Sequence, residues 1–109
     1  MSSEIYKIFE AHNLVLKDLK QIDLSEFSNK RTLKSAIGID TKGFYTIVFI
    51  REAKSRFLKK EFEDIVEICR KVEEKLGLKI KKRVVFYSSQ ICSKTQNLIK
   101  ESGWKYDAV

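Results

Sequence analysis

The chain has no proline, four glycines, two cysteines, one histidine and one tryptophan in 109 residues. Each scarcity excludes something. Without proline or any glycine- or serine-rich stretch there is no collagen-like segment, stiff linker or low-complexity tail. A single histidine, His12, rules out a His-rich zinc centre and any site built on several imidazoles. It falls just past a short helical pattern, where a helix-end role is expected. Cys69 and Cys92 lack CxxC spacing and histidine companions, so they read as reduced, ordinary small apolar residues rather than ligands. No apolar run approaches the length needed to cross a bilayer. The opening Met1-Ser2-Ser3-Glu4 has neither the basic start nor the apolar core of a signal peptide, which points to the cytoplasm.

What is abundant is charge, with an excess of one sign. Lysine and arginine number 22 against 15 acids, a formal charge of +7, with 43% hydrophobic residues. That composition fits one folded domain over residues 1–109, and its positive excess favours a polyanionic partner, most often nucleic acid.

Periodicity supplies the elements. Ser2 or Ser3 can cap a short helix carrying Ile5, Ile8 and Phe9 on one face. Leu14–Leu19 alternates loosely as a weak strand, and residues 21–31 read as irregular, anchored by Ile22, Leu24 and Phe27. Leu33–Ile39 and Phe44–Arg51 form a hairpin around the turn Asp40-Thr41-Lys42-Gly43. Leu58, Phe62, Ile65, Cys69, Val72 and Leu76 step by threes and fours along a long helix, with Ser55 as its cap and Gly77 as its stop. Lys79–Tyr87 is a second buried strand. A last helix begins at the capping-box pair Ser93 and Gln96 and ends at Gly103, before an edge strand in Trp104–Val109. A helical crossover after a hairpin makes the next strand run parallel to the hairpin's second, beside it or one removed from it. The expected fold class is therefore α/β, a mixed sheet flanked by helices.

One tripeptide carries candidate chemistry. Glu52-Ala53-Lys54 closes the run Phe44–Ile50, and an acid and an amine two residues apart on a strand share a face. At a sheet margin such a couple can hold a divalent cation beside a phosphate.

The element order α-β-β-β-α-β-α(-β), with Ile50-Arg51-Glu52-Ala53-Lys54-Ser55-Arg56 closing the third strand, resembles the PD-(D/E)XK nuclease superfamily of restriction enzymes and Holliday-junction resolvases. The resemblance runs from the first helix to the strand at Val84–Tyr87. It implies a restriction-endonuclease-like fold, Glu52 as a metal carboxylate, Lys54 as the catalytic amine, and Mg2+ wherever that site is active. The family also places an aspartate across from the glutamate, and here the pattern breaks. A turn centred near Lys42 sets Glu52 opposite Thr32 and Lys54 opposite Lys30. Asp40 then lies about 25 Å away at ~3.3 Å per residue. Arg31, Thr32, Leu33, Lys34 and Ser35 occupy the aspartate's region, so a second carboxylate would have to come from Asp23, Glu26 or Glu10.

The same replacement leaves a cationic sheet end. Arg31, Lys34, Arg51, Lys54 and Arg56 are candidate phosphate contacts, extended by Lys82, Arg83 and Lys94, with Lys94 opening a helix whose amides favour anions. The alternative for these charges is a solvated rim that protects an edge strand. Tyr45, Tyr87, Trp104 and Tyr106 are either core or base-stacking residues. The leading functional reading is a small basic nucleic-acid-binding protein on a nuclease-like scaffold that has lost catalysis. Its alternatives are a Mg2+-dependent nuclease using Glu52 and Lys54, and a protein-interaction module, including a homodimer through an edge strand. No membrane partner is expected.

Overall fold

The central run Tyr45-Thr46-Ile47-Val48-Phe49-Ile50-Arg51 organises the molecule, because a strand apolar on both faces must be covered on both. In the computed structural model, which describes residues 3–12, 14–27 and 31–109 (side chains from residue 7), this run is β3. The elements in chain order are α1 (Ser3–Ala11), β1 (Lys17–Ile22), a short 3-10 turn (Leu24–Glu26), β2 (Leu33–Ile39), β3 (Tyr45–Arg51), α2 (Lys59–Leu76), β4 (Lys82–Tyr87), α3 (Ser93–Glu101) and β5 (Lys105–Ala108). The strands lie side by side in sequence order, β1-β2-β3-β4-β5. The first three are antiparallel, and β4 and β5 join parallel through α2 and α3. This is the mixed sheet flanked by helices expected from the sequence.

Two cores share the sheet. Ile47, Phe49, Val85 and Tyr87 face α2 and α3, packing on Phe57, Phe62, Ile65, Cys69, Val72, Ile99 and Trp104. Val48, Ile50, Val84 and Phe86 face the other way, under Phe9 of α1. Phe49, Phe57 and Phe62 are fully buried, and truncating any one of them to alanine would cost roughly 3–5 kcal/mol. Trp104 stacks on Phe49 at 5.9 Å and meets Phe62 edge-on at 5.1 Å, so it is a core residue rather than a base-stacking one. Tyr87 is buried, and Tyr45 and Tyr106 pack against the same core.

The hairpin has the expected register. Leu33 pairs with Arg51 and Ile39 with Tyr45, and the Glu52 amide donates to Thr32 O at 2.7 Å. The turn is closed by Asp40, whose carboxylate accepts the Lys42 and Phe44 amides at 3.0 and 2.8 Å, while Gly43 takes the φ of 87°.

Local signals shifted elsewhere. β1 begins at Lys17 rather than Leu14, because a bulge with Asp18 at φ 52° reorganises the edge. The strand expected from Lys79 begins at Lys82. The helix caps also differ. α2 starts after Leu58 and α3 after Cys92, neither with a side-chain cap, so Ser55 and Ser93 do not cap them. Leu58 and Leu76 end the apolar stripe of α2 but are exposed, and Ile68 is buried with the others. Gly77 closes α2 in the left-handed conformation, as read. Ser2, the side chains of Ser3 and Ile5, and Lys30 lie outside the described residues.

Candidate nucleic-acid interface

The C-terminal ends of β3 and β4 set the geometry. β3 stops at Arg51, so Glu52-Ala53-Lys54 lies on its extension, and a bend at Lys54–Ser55 ends the alternation expected to give Glu52 and Lys54 a common face. Glu52 keeps its pairing with Thr32 and is 41% exposed. Its carboxylate is met by the Lys34 ammonium at 3.1 Å.

The other candidate carboxylates lie away from Glu52 in their own settings. Asp40 sits at the opposite end of the hairpin, about 25 Å from Glu52 by strand rise. Among the described residues its Oδ2 meets the Lys82 ammonium, at 2.5 Å. That contact, with the Phe44 amide, holds its carboxyl down to about 2. Asp23 caps the 3-10 turn by accepting the Ser25 amide, and Glu26 pairs with Lys75. Glu10 is exposed on α1. Among the described residues no three His, Cys, Asp or Glu side chains converge into a group able to hold a metal ion.

Two corrections concern the cations. Arg51 was expected among the phosphate contacts, yet it is 2% exposed. Side chains alternate along β3, so Arg51 follows Ile47 and Phe49 toward α2, where its guanidinium is saturated. Nε and Nη2 fork onto Glu61 at 2.8 and 3.1 Å. Nη1 donates to Ser55 O and Ser89 Oγ, Nη2 also to Ser55 Oγ, and the plane lies 5.1 Å from the Phe57 ring. No donor is left for a phosphate.

Lys82 and Arg83 were expected to extend the same patch. Because β4 runs parallel to β3, its first residues pair with Thr46 and Ile47, at the far end of the sheet. There Lys82 serves Asp40 and Arg83 serves Glu73 at 2.5 Å.

The other cations stay at the candidate end. Arg31 and Thr32 form the exposed turn entering β2. Lys54 and Arg56 are exposed on the loop after β3, and Lys94 is exposed in the first turn of α3. The side chains of Arg31, Lys54, Arg56 and Lys94 have no ion-pair partner among the described residues. Arg56 lies close enough to Cys92 for its charge to act there. The thiol is held below its usual range chiefly by the Lys94 amide, then by the Thr95 amide, with Arg56 adding to them. At the other extreme, burial pushes the Cys69 thiol up. Both cysteines are free. His12 closes α1 with its Nδ1 at 3.1 Å from Asp107 and its ring tilted on Phe86, the helix-end role expected of it.

Sequence reasoning missed the internal partners of Arg51. Glu61 is the one that could have been found: an arginine in phase with Ile47 and Phe49 must be buried, and a buried guanidinium requires an acid.

No protein-family model matches this sequence, and no curated protein matches it. Solved structures do. EndoMS in its apo form superposes over 100% of this chain with a TM-score of 0.61 at 13% identity. A repair endonuclease from Pyrococcus abyssi gives 0.54 at 15% over 100%, and EndoMS in a dsDNA complex gives 0.51 at 14% over 98%. The chain spans less than half of each of those structures, 46%, 47% and 43% respectively. At such identities the likeness establishes the fold, a restriction-endonuclease-like mixed sheet shared with nucleases.

Proposed function

We propose that this chain is a nucleic-acid-binding domain on a nuclease-like scaffold, without catalysis at the Glu52 position. The observation that carries it is the Lys34–Glu52 pair. Where the family resemblance calls for a metal ion held between two carboxylates, Glu52 faces a threonine across the ladder and an ammonium neutralises its charge. A fixed monocation there removes the electrostatic need for a divalent ion. It also offers no Lewis acid to polarise a phosphate or acidify water.

The exposed cations Arg31, Lys54, Arg56 and Lys94, with a net charge of +7, supply the phosphate-binding term. One fold neighbour is a repair endonuclease and another is EndoMS in complex with dsDNA, which makes DNA the first ligand to try. Binding to short duplex, single-stranded and branched DNA and to RNA should be followed by anisotropy across a salt titration. Affinity that falls log-linearly with salt, with no cleavage in Mg2+ or Mn2+, is expected. Affinity no better than that of a charge-matched control protein would sink the binding claim. Cleavage abolished by Glu52→Gln would sink the loss of catalysis.

A further inference from the structure

Two loops carry or lead into three of the rim cations that lack an ion-pair partner among the described residues: residues 52–58 after β3, with Lys54 and Arg56, and residues 88–92 after β4, leading into Lys94 of α3. They are stitched together. Ser88 donates its amide and its hydroxyl to Arg51 O. Phe57 donates to Gln90 O at 2.8 Å, accepts from Cys92 at 3.2 Å and from the Thr95 hydroxyl at 3.2 Å, and forms a parallel bridge with Ile91. Beneath both loops lies the Arg51 guanidinium, bonded to Ser55 on one, Ser89 on the other and Glu61 at the start of α2.

We propose that the two loops form one preorganised cationic rim that spans neighbouring phosphates of a nucleic-acid backbone, with Arg51 as the positioning residue that fixes their spacing. This rests on the nucleic-acid reading above and deepens it. A buried arginine whose N–H donors are all occupied touches no ligand itself. What it does is hold Arg56 and Lys94 on a common frame before a ligand arrives. A phosphate backbone presents charges at fixed intervals, so cations held in register engage several phosphates at once without the ordering cost that two floppy loops would incur. Lysine in place of Arg51 keeps the charge but loses the planar fork, so it cannot serve Glu61, Ser55 and Ser89 together.

The experiment compares the wild type, Arg51→Lys and Ser89→Ala by hydrogen exchange and by salt-titrated DNA binding. In Arg51→Lys, amides 53–57 should exchange about tenfold faster relative to those of Ile47–Ile50, whose exchange reports the global loss of stability. Affinity should fall about five- to tenfold, and the log-affinity against log-salt slope should drop by about one. Arg56→Ala should then cost less in the Arg51→Lys background than in the wild type, because the contact is already weakened. Should Arg51→Lys fail to fold, Ser89→Ala, which removes one tie between the loops, carries the test with the same signs and smaller sizes. A wild type that binds DNA while the variants bind with the same affinity and slope would overturn this inference alone. A wild type with no salt-dependent binding would overturn the nucleic-acid reading together with it.

Discussion

Placing a second carboxylate across from Glu52 should create a metal site, and the register says where to put it. Thr32 is exposed, lies directly across from Glu52, and is hydrogen-bonded to it through the backbone. Side chains in such a pair stand about 4.5–5.5 Å apart at Cβ, close enough for two carboxylates to share one cation. Lys34 must go as well, since its ammonium already sits 3.1 Å from Glu52. The perturbation is the double variant Thr32→Asp/Lys34→Ala. Without metal, two like charges directly opposed should destabilise by roughly 0.2–1 kcal/mol. A two-carboxylate site for Mg2+ or Mn2+ with a dissociation constant on the order of 1 mM would, at about 10 mM metal, return RT ln 11, or about 1.4 kcal/mol. For a domain of this size that corresponds to a rise in Tm of roughly 5–8 °C.

Thermal melts with and without divalent metal, at constant ionic strength, read this directly. The wild type should be indifferent to the metal, and the variant should shift. A wild type stabilised as much as the variant would mean that the native chain already holds a metal, contradicting the proposed lack of catalysis at Glu52. A variant that does not shift would mean that positions 32 and 52 do not converge, and the parallel drawn with a two-carboxylate nuclease site would fail on geometry.

Other expectations follow from single contacts. Arg51→Met should destabilise by about 2–4 kcal/mol in urea denaturation, toward the lower end because the stranded Glu61 carboxylate is 28% exposed and can rehydrate. A loss under about 1 kcal/mol would show that the guanidinium network is not holding the fold. Asp40 has its carboxyl depressed from 3.8 to about 2, chiefly by the Lys82 contact and then by the Phe44 amide, so its stabilisation is present above about pH 4 and lost as pH falls toward 2. The stability gap between wild type and Asp40→Asn should therefore be constant from pH 5 to 7 and shrink between pH 4 and 2. A gap that holds its size at pH 2 would refute the linkage. Gly38→Ala should cost about 1–3 kcal/mol, because its Cβ would come within 2.9 Å of Leu16 Cβ and 3.2 Å of Lys17 O in neighbouring backbone and side chains. An unchanged urea midpoint would mean that β1 moves aside freely.

Much of this architecture was legible because it depends on patterns that tertiary contacts reinforce. The run from Tyr45 to Arg51 is buried on both sides, so its apolar continuity alone marks a central strand, and one turn at Asp40–Gly43 then fixes every pairing down to Thr32 and Glu52. The helix caps were not legible. Ser55 and Ser93 have the right chemistry for capping, but Ser55 is claimed by Arg51, and α3 opens on Cys92 instead. A capping signal is local and is worth about 1 kcal/mol, so a buried guanidinium that needs acceptors outcompetes it. β1 slid for a similar reason: its alternation is weak, and a bulge at Asp18 sets the register instead.

The cations show the limit of composition most clearly. Eight basic residues looked alike in the sequence, and the fold divides them by two facts that composition does not hold. One is side-chain phase, which sends Arg51 inward beside Phe49 while Lys34 faces out to Glu52. The other is strand direction. A parallel β4 begins where β3 begins, so Lys82 and Arg83 are carried to the Asp40 end, while Lys94, on the helix entered from the other end of β4, comes to the same rim as Arg56 through the Phe57–Gln90 and Cys92–Phe57 hydrogen bonds. Whether a cation is available at the candidate rim is thus fixed by which end of its strand it occupies and on which side of the chain it points. Charge reversal at Lys94 should therefore weaken DNA binding, and charge reversal at Lys82 should instead loosen the Asp40 turn, a pair of outcomes that anisotropy and urea melts on the two variants would separate.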